Sequence, residues 1–174
     1  MKVSIVTIAY NSAITIRATI DSVLSQSYHD IEYIVVDGAS KDDTMSIVQS
    51  YGSRIHRVIS EPDQGIYDAM NKGVKLATGD VIGVLNSDDF YADEHVIRDI
   101  ARVVEEHDAD AAYADLVYVD REQTDRIVRR WNSGSYVPGQ FLSGWMPPHP
   151  TFFLKRTFYE SYGVYSTALK SSAD

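Results

Sequence analysis

The sequence predicts an α/β domain, a mostly parallel β-sheet flanked by helices, with a smaller mixed or antiparallel part toward its C-terminal side. Two observations carry this. Short apolar runs rich in β-branched residues recur at VSIVTIA, IEYIVVD, RVIS and VIGVL, each followed by small polar residues and then a helical stretch. Strand and helix alternating at this spacing build a parallel sheet through right-handed crossovers. From residue 111 the alternation stops, and two strand-like runs follow one another across a polar turn. A chain of 174 residues can bury one real core and is short for two, so 1–110 and 111–174 read as halves of a single domain.

Val3 to Ala9 is a continuous apolar run, which suits a strand covered on both faces. Asn11 and Ser12 offer helix caps, and Ile14, Ala18 and Val23 mark a helical stripe ending near Ser27. Ile31 to Asp37 is a second buried strand. In GASKDDT, Ser40 and Asp43 stand as Ser-x-x-Asp, a capping-box-like start for a helix reaching Tyr51. RVIS is a short third strand. In GIYDAMNKGVKLATG, the residues Ile66, Met70, Val74 and Ala77 share one face of a helix that Gly79 ends. VIGVL is a fourth strand, and Asp93 caps a helix to His107. Beyond it, AAYADLVYVD and RIVRRW read as strands, and TFFLKRTFYESYG as a strand running into a helix. The segment NSGSYVPGQFLSGWMPPHP is a Gly/Pro/aromatic loop of the kind that covers a site. Ser171, Ser172 and Asp174 resemble a helix cap with no helix behind it, which suggests a piece of a longer chain.

Composition narrows the function. Hydrophobic content of 44% with 24% charged residues is that of a folded globular chain. A net charge of −9 argues against a nucleic-acid backbone as partner. With no cysteine, disulfides, thiol nucleophiles and thiolate metal sites are excluded, and a reducing compartment fits. The apolar runs are strand-sized, far below the roughly 20 residues of a membrane crossing, and MKVSIVTIAYNS lacks the cleavage site of a signal peptide. A cytoplasmic location follows as the expectation.

Ligands of parallel sheets sit beyond the carboxyl ends of the strands. Here those ends read YNS, DGAS, EPDQG and NSDD, all polar, small or acidic. The last places Asp88 and Asp89 side by side with no Lys or Arg adjacent. Two such carboxylates repel, and a divalent cation relieves the conflict; oxygen ligands favour Mg²⁺ or Mn²⁺, which usually completes its shell with substrate phosphates. Neighbouring side chains in an extended stretch point to opposite sides, so one acid would take the metal and the other a ligand hydroxyl. The competing reading is a turn and helix cap. No GxGxxG, Walker lysine loop, G-x-S-x-G elbow or H-E-x-x-H occurs, and NSDDFYADEHVI fails the EF-hand pattern at Phe90 and Tyr91.

Six segments in order, VSIVTIAYN, IEYIVVDGASKDDT, EPDQGIYDAMNKG, GDVIGVLNSDDFY, PPHPTFFLKR and LKSSAD, resemble family 2 of the nucleotide-sugar glycosyltransferases, which have the GT-A fold, especially bacterial members that build surface polysaccharides. The resemblance implies an inverting, metal-dependent sugar transfer from a nucleoside diphosphate sugar, UDP-linked, to a saccharide or lipid-linked acceptor. Residues 1–110 would be the donor-binding half and 111–174 the acceptor-side half. Ala9 and Tyr10 would line the nucleotide pocket, and Asp37 would sit near the base. Gly65 to Lys72 would face the nucleotide and its phosphates, with Asp68, Asn71 and Lys72 as polar candidates. Asn86 and Asp88 would bind the ribose or donor sugar, Asp89 would hold Mn²⁺ or Mg²⁺ with Asp88 beside it, His149 would lie at the mouth, and Asp174 matches the catalytic base.

Many members carry two acids where this chain has Asp37-Gly38, and its metal motif begins with Asn86 rather than an acid. Plainer roles compete at each position. Lys72 can be a solvated helix residue paired with Asp68 at i,i+4, Asp37 a loop cap, and His149 structural. Phe141, Trp145, Phe152 and Phe153 suit core and lid packing better than a sugar platform. A nucleotidyltransferase and a non-catalytic nucleotide-sugar-binding module remain as alternatives. A lipid-linked acceptor would bring the chain to the membrane surface, although nothing basic or amphipathic in the sequence marks that contact.

Overall fold

A computed structural model describes residues 1–169; the helix cap expected at Ser171, Ser172 and Asp174 lies outside them. The alternating half folds as β1 (Val3–Ala9), α1 (Ile16–Leu24), β2 (Ile31–Asp37), α2 (Thr44–Ser50), β3 (Arg57–Ser60), α3 (Ile66–Leu76), β4 (Val81–Asn86) and α4 (Val96–His107). Then come β5 (Ala111–Ala112), β6 (Leu116–Val119), β7 (Ile127–Trp131), β8 (Phe153–Lys155) and α5 (Arg156–Tyr162). The main sheet has six strands in the order β3-β2-β1-β4-β8-β5, and β6 with β7 forms a separate antiparallel pair. The first four strands run parallel, whereas β8 is antiparallel to both β4 and β5. Strands from residues beyond 110 therefore complete the sheet begun by the first half.

Every residue of β1 is buried because helices cover both faces of the sheet. Val3 and Ile5 join Ile16, Ile20 and Val23 of α1, Val48 of α2 and Ile97, Ile100 and Val104 of α4. Val6 and Ile8 join Met70 and Val74 of α3 on the other face. Alternate side chains of one strand thus feed two cores, which is why the run reads as unbroken apolar sequence.

Four local expectations need correction. The buried face of α1 is Ile16, Thr19, Ile20 and Val23; Ile14 is 82% exposed and Ala18 is exposed, because the helix starts two residues after Ile14. Ser40 does not cap α2. Its hydroxyl turns back to Asp37, and Asp42 accepts the Thr44 N–H instead. The third helix ends at Leu76, and a Cβ on Gly79 would lie 2.7 Å from the Ser4 nitrogen, so Gly79 serves close chain approach rather than the helix stop. AAYADLVYVD divides between β5 in the main sheet and β6 in the hairpin.

Candidate functional site

Parallel register brings the strand ends to one edge: Ala9 lies opposite Asp37, Asp37 opposite Ser60, and Ile8 opposite Asn86. Beyond that edge opens a cleft of about 1310 Å³. Its walls are Ala9 to Ser12, Thr15 of the α1 approach, Gly65, Ile66 and Ala69 at the start of α3, and Asn86 to Asp88 with Phe90 after β4. The turn of the β6–β7 hairpin, Asp120 to Glu122 with Thr124, closes the remaining side. The Gly/Pro/aromatic loop expected to cover the site instead gathers its own rings, with Trp145 against Tyr113, Tyr136 and Phe141.

Hydrogen bonds knit the strand tips together. The Ser12 and Ser87 hydroxyls are 2.7 Å apart, Thr19 donates to the Ser87 carbonyl at 2.9 Å, and the Ser12 N–H donates to the Thr44 hydroxyl at 2.7 Å. Asn11 takes the left-handed region (φ 50°) and its side-chain Oδ1 accepts from the Lys41 N–H at 2.9 Å. Tyr10 is held in this frame with its side chain 61% exposed on the cleft.

The chain turns after β4, the Asp89 N–H donating to the Asn86 backbone carbonyl at 3.1 Å, so the extended geometry expected for the acidic pair is not found, yet the two side chains still part. Asp88 is exposed and faces the cleft. Asp89 is half-buried behind it and accepts from the Asn86 amide at 3.0 Å. Burial raises the Asp89 pKa and the neighbouring Asp88 charge adds to the rise, with the Asn86 hydrogen bond opposing. The Asn86 side-chain oxygen Oδ1 is buried without a hydrogen-bond partner among the described residues. Among the described residues no Lys or Arg pairs with either carboxylate, and no three His, Cys, Asp or Glu residues gather as a metal cage. Asp88 on the cleft and the orphaned Asn86 amide oxygen beside it are ligands of the kind a hard divalent cation takes when a bound phosphate group completes its shell, whereas Asp89 does not line the cleft.

Gly65 is where the sequence placed it. Its φ of 114° excludes other residues without strain, and it opens α3 onto the cleft. The polar residues after it face elsewhere. Asp68 accepts from the Gln64 N–H at 3.0 Å and lies 3.4 Å from Lys72. Lys72 is also held by Glu61 at 3.0 Å and by the Pro62 carbonyl at 2.8 Å. Asn71 is buried, and its amide exchanges two hydrogen bonds with the Tyr165 backbone, at 2.8 and 2.9 Å. Helical rotation carries these three off the face that Gly65, Ile66 and Ala69 present.

Asp37 also departs from expectation. It is fully buried; one oxygen accepts from the Ser60 hydroxyl at 2.6 Å and the Ser40 N–H at 3.0 Å, and the other from the Ser40 hydroxyl. It anchors the loop behind the cleft rather than facing into it. His149 lies against Tyr165, ring centroids 6.2 Å apart, in a second, apolar cavity of about 370 Å³ with Phe141, Phe152 and Phe158, not at the mouth of the cleft. Asp174 lies outside the described residues.

Three cleft features went unnamed in the sequence. Asp63 and Asp42 line the cleft from loops already marked as polar strand ends, so EPDQG and GASKDDT held the signal. The hairpin turn with Arg121 and Glu122 had none, because a long-range fold-back puts it there.

Comparison with known proteins agrees with this architecture. The chain is 33% identical to a PGL/p-HBAD biosynthesis glycosyltransferase of Mycobacterium bovis over 98% of its length and 66% of that protein's. It is 39% identical, over 56% of its length and 39% of the other's, to the Escherichia coli UDP-Glc:alpha-D-GlcNAc-diphosphoundecaprenol beta-1,3-glucosyltransferase WfaP. The chain thus spans at most about two thirds of these relatives. Among solved structures, S. aureus TarS 1–349 in complex with UDP-GlcNAc superposes with a TM-score of 0.77 at 21% identity, over 100% of this chain and 51% of that one. The mannosyltransferase PcManGT of Pyrobaculum calidifontis, in complex with GDP-Man and Mn²⁺, gives 0.73 at 18%, over 97% and 48%. The fold is GT-A. The family model described as Glycosyl transferase family 2 matches residues 4–170, and the chain belongs to that family.

Proposed function

We propose that this chain binds a nucleoside diphosphate sugar, UDP-linked, in the cleft and transfers the sugar with inversion to a saccharide or lipid-linked acceptor of a cell-surface polysaccharide. The observation that carries the reading is the unneutralised acidic tip of β4 on the same cleft as the N-terminal end of α3. The helix end carries partial positive charge and suits a diphosphate. Asp88 and Asp89, with the Asn86 oxygen, would hold Mn²⁺ or Mg²⁺; when bound, the cation neutralises charge developing on the leaving diphosphate. Tyr10 and Ala9 offer a flat surface for the base, and Asn86 and Asp88 offer polar atoms to the ribose or sugar. The hairpin turn lines the cleft on the side where an acceptor would enter. Asp174 is the group proposed to take the acceptor's proton.

The donor-binding half would be residues 1–110 and the acceptor-side half 111–174. No helix among the described residues is long and apolar enough to cross a membrane. A lipid-linked acceptor would be met at the inner membrane face, from the cytoplasm. Family membership weighs against a nucleotidyltransferase.

Thermal shift with UDP-GlcNAc, with and without Mn²⁺, tests the site. A donor at a hundred times its Kd adds about 2.7 kcal/mol, a rise of roughly 5–10 °C for a chain of this size. The Mn²⁺-dependent part of that rise should vanish in Asp89→Ala and shrink in Asp88→Asn. Unchanged donor affinity and activity in Asp89→Ala would defeat the assignment.

A further inference from the structure

Gly38 stands at the back of the cleft, its N–H donating to the Ala9 carbonyl at 2.8 Å, between the Tyr10 ring and the Asp63 carboxylate. A Cβ added at Gly38 would lie 2.4 Å from Asp63 Oδ2 and 3.4 Å from Tyr10 Cδ2. The carboxylate thus occupies the space that any side chain at position 38 would need. Asp63 reaches it from the loop before α3, fixed by the Gly65 N–H, which donates to Oδ1 at 2.9 Å. Among the described residues nothing donates to Oδ2. The other acids of the cleft differ. Asp42 accepts from Ala13 and Thr44 of its own surroundings, Asp120 from the N–H groups of Glu122 and Gln123, Asp88 belongs to the β4 tip, and Glu122 stands exposed on the hairpin turn away from Tyr10's strand end.

An aromatic face with an unpartnered anionic acceptor at its edge suits a planar heterocycle that stacks on Tyr10 and donates an in-plane N–H. We propose that Asp63, admitted by Gly38, is the residue that selects the donor's nucleobase, favouring bases whose ring carries an imino N–H. Uracil and guanine have that donor. Cytosine and adenine present a lone pair at the corresponding ring nitrogen, which the carboxylate repels. This rests on the donor-site reading above, and deepens it by naming the base-reading group and the class of base. Sites built to accept a hydrogen bond discriminate strongly, because a mismatched ligand leaves a buried polar group unpaired.

Calorimetric titration of the chain with UDP, GDP, CDP and ADP, each with Mn²⁺, tests it. The unaltered protein should bind UDP or GDP at least tenfold more tightly than CDP and ADP. In Asp63→Asn the amide can keep its oxygen on the Gly65 N–H and turn its nitrogen to the base. UDP or GDP should then weaken at least tenfold while CDP strengthens. Gly38→Ala provides an independent perturbation: its backbone lies outside the positive-φ region, so the added methyl acts only by displacing the carboxylate. It should narrow the base preference in the same direction without lowering Tm by more than a few degrees. Nucleotide binding that persists in Asp63→Asn with the original order of bases overturns the base-reading role and leaves the donor site standing. Absence of binding by every nucleotide in the unaltered chain overturns both.

Discussion

Asp37→Ala separates two roles that the sequence left open, contact with the donor's base and support of the loop behind the cleft. The buried carboxylate accepts three hydrogen bonds, from the Ser60 hydroxyl and from the hydroxyl and N–H of Ser40, where no water can replace it. Each abandoned donor costs about 1 kcal/mol or more, so Asp37→Ala should lose about 3 kcal/mol. For a chain of this length that is a fall in Tm of roughly 6–12 °C. The strain carried by Ala39 at φ 62° depends on the same anchor, so the loop from 38 to 43 should become the first segment to exchange its amide hydrogens. Asp37→Asn keeps an oxygen for the Ser40 N–H and lets the serine hydroxyls rotate; it should cost about 1 kcal/mol and leave UDP affinity within about twofold. Differential scanning calorimetry beside nucleotide titration reads both quantities. A Tm shift under about 2 °C in the alanine variant, joined to a tenfold loss of UDP affinity, would show that the carboxylate serves the ligand and that the anchoring argument is wrong.

Two further outcomes concern stability. Glu32, 4% exposed at the opposite end of the sheet, accepts from the Ser4 hydroxyl at 2.6 Å and the Thr78 N–H at 2.7 Å, with Lys2 at 3.4 Å. Burial raises its pKa, but those hydrogen bonds and Lys2 outweigh burial and bring it down to about 2. A depressed folded pKa contributes stability that is present above the unfolded value and lost as pH falls toward the folded one. Between about pH 5 and pH 2 the protein should therefore lose on the order of 3 kcal/mol that Glu32→Gln does not lose; parallel urea-denaturation profiles for the two would contradict this. Gly83 faces Phe153 across the β4–β8 pair, and a Cβ there would lie 2.3 Å from Cε1 of a ring that is 1% exposed. Gly83→Ala should cost about 1–3 kcal/mol, and Phe153→Leu in the same chain should recover part of it, whereas additive losses would place the strain elsewhere.

Much of the fold was legible because its strands are buried on both faces. A strand with helices above and below must be apolar throughout, and β1 and β2 stand at the boundaries their apolar runs mark; β3, at the sheet edge, is mostly exposed and does not share that reason. The β4 tip, the Gly65 turn, Ala9 and Tyr10 were legible for a related reason. In a parallel sheet the carboxyl ends share an edge, so polar residues at those ends come to line one cleft. What failed was the direction of single side chains. Asp68, Asn71 and Lys72 belong to the right helix, yet a rotation of about 100° per residue turns them from the cleft. Asp37 ends the right strand, but two serines, one of them 23 residues away, claim its oxygens.

The sequence by itself determined the parallel strands, the polar ends that share one edge and the acidic pair placed there, since each follows from periodicity and local chemistry. Only the tertiary structure decided that Asp88 faces the cleft while Asp89 turns behind it, that Asp63 fills the space beside Gly38, and that the hairpin turn lines the cleft's remaining side. These depend on contacts between residues far apart in the chain, whose relative placement is fixed by packing rather than by any local preference.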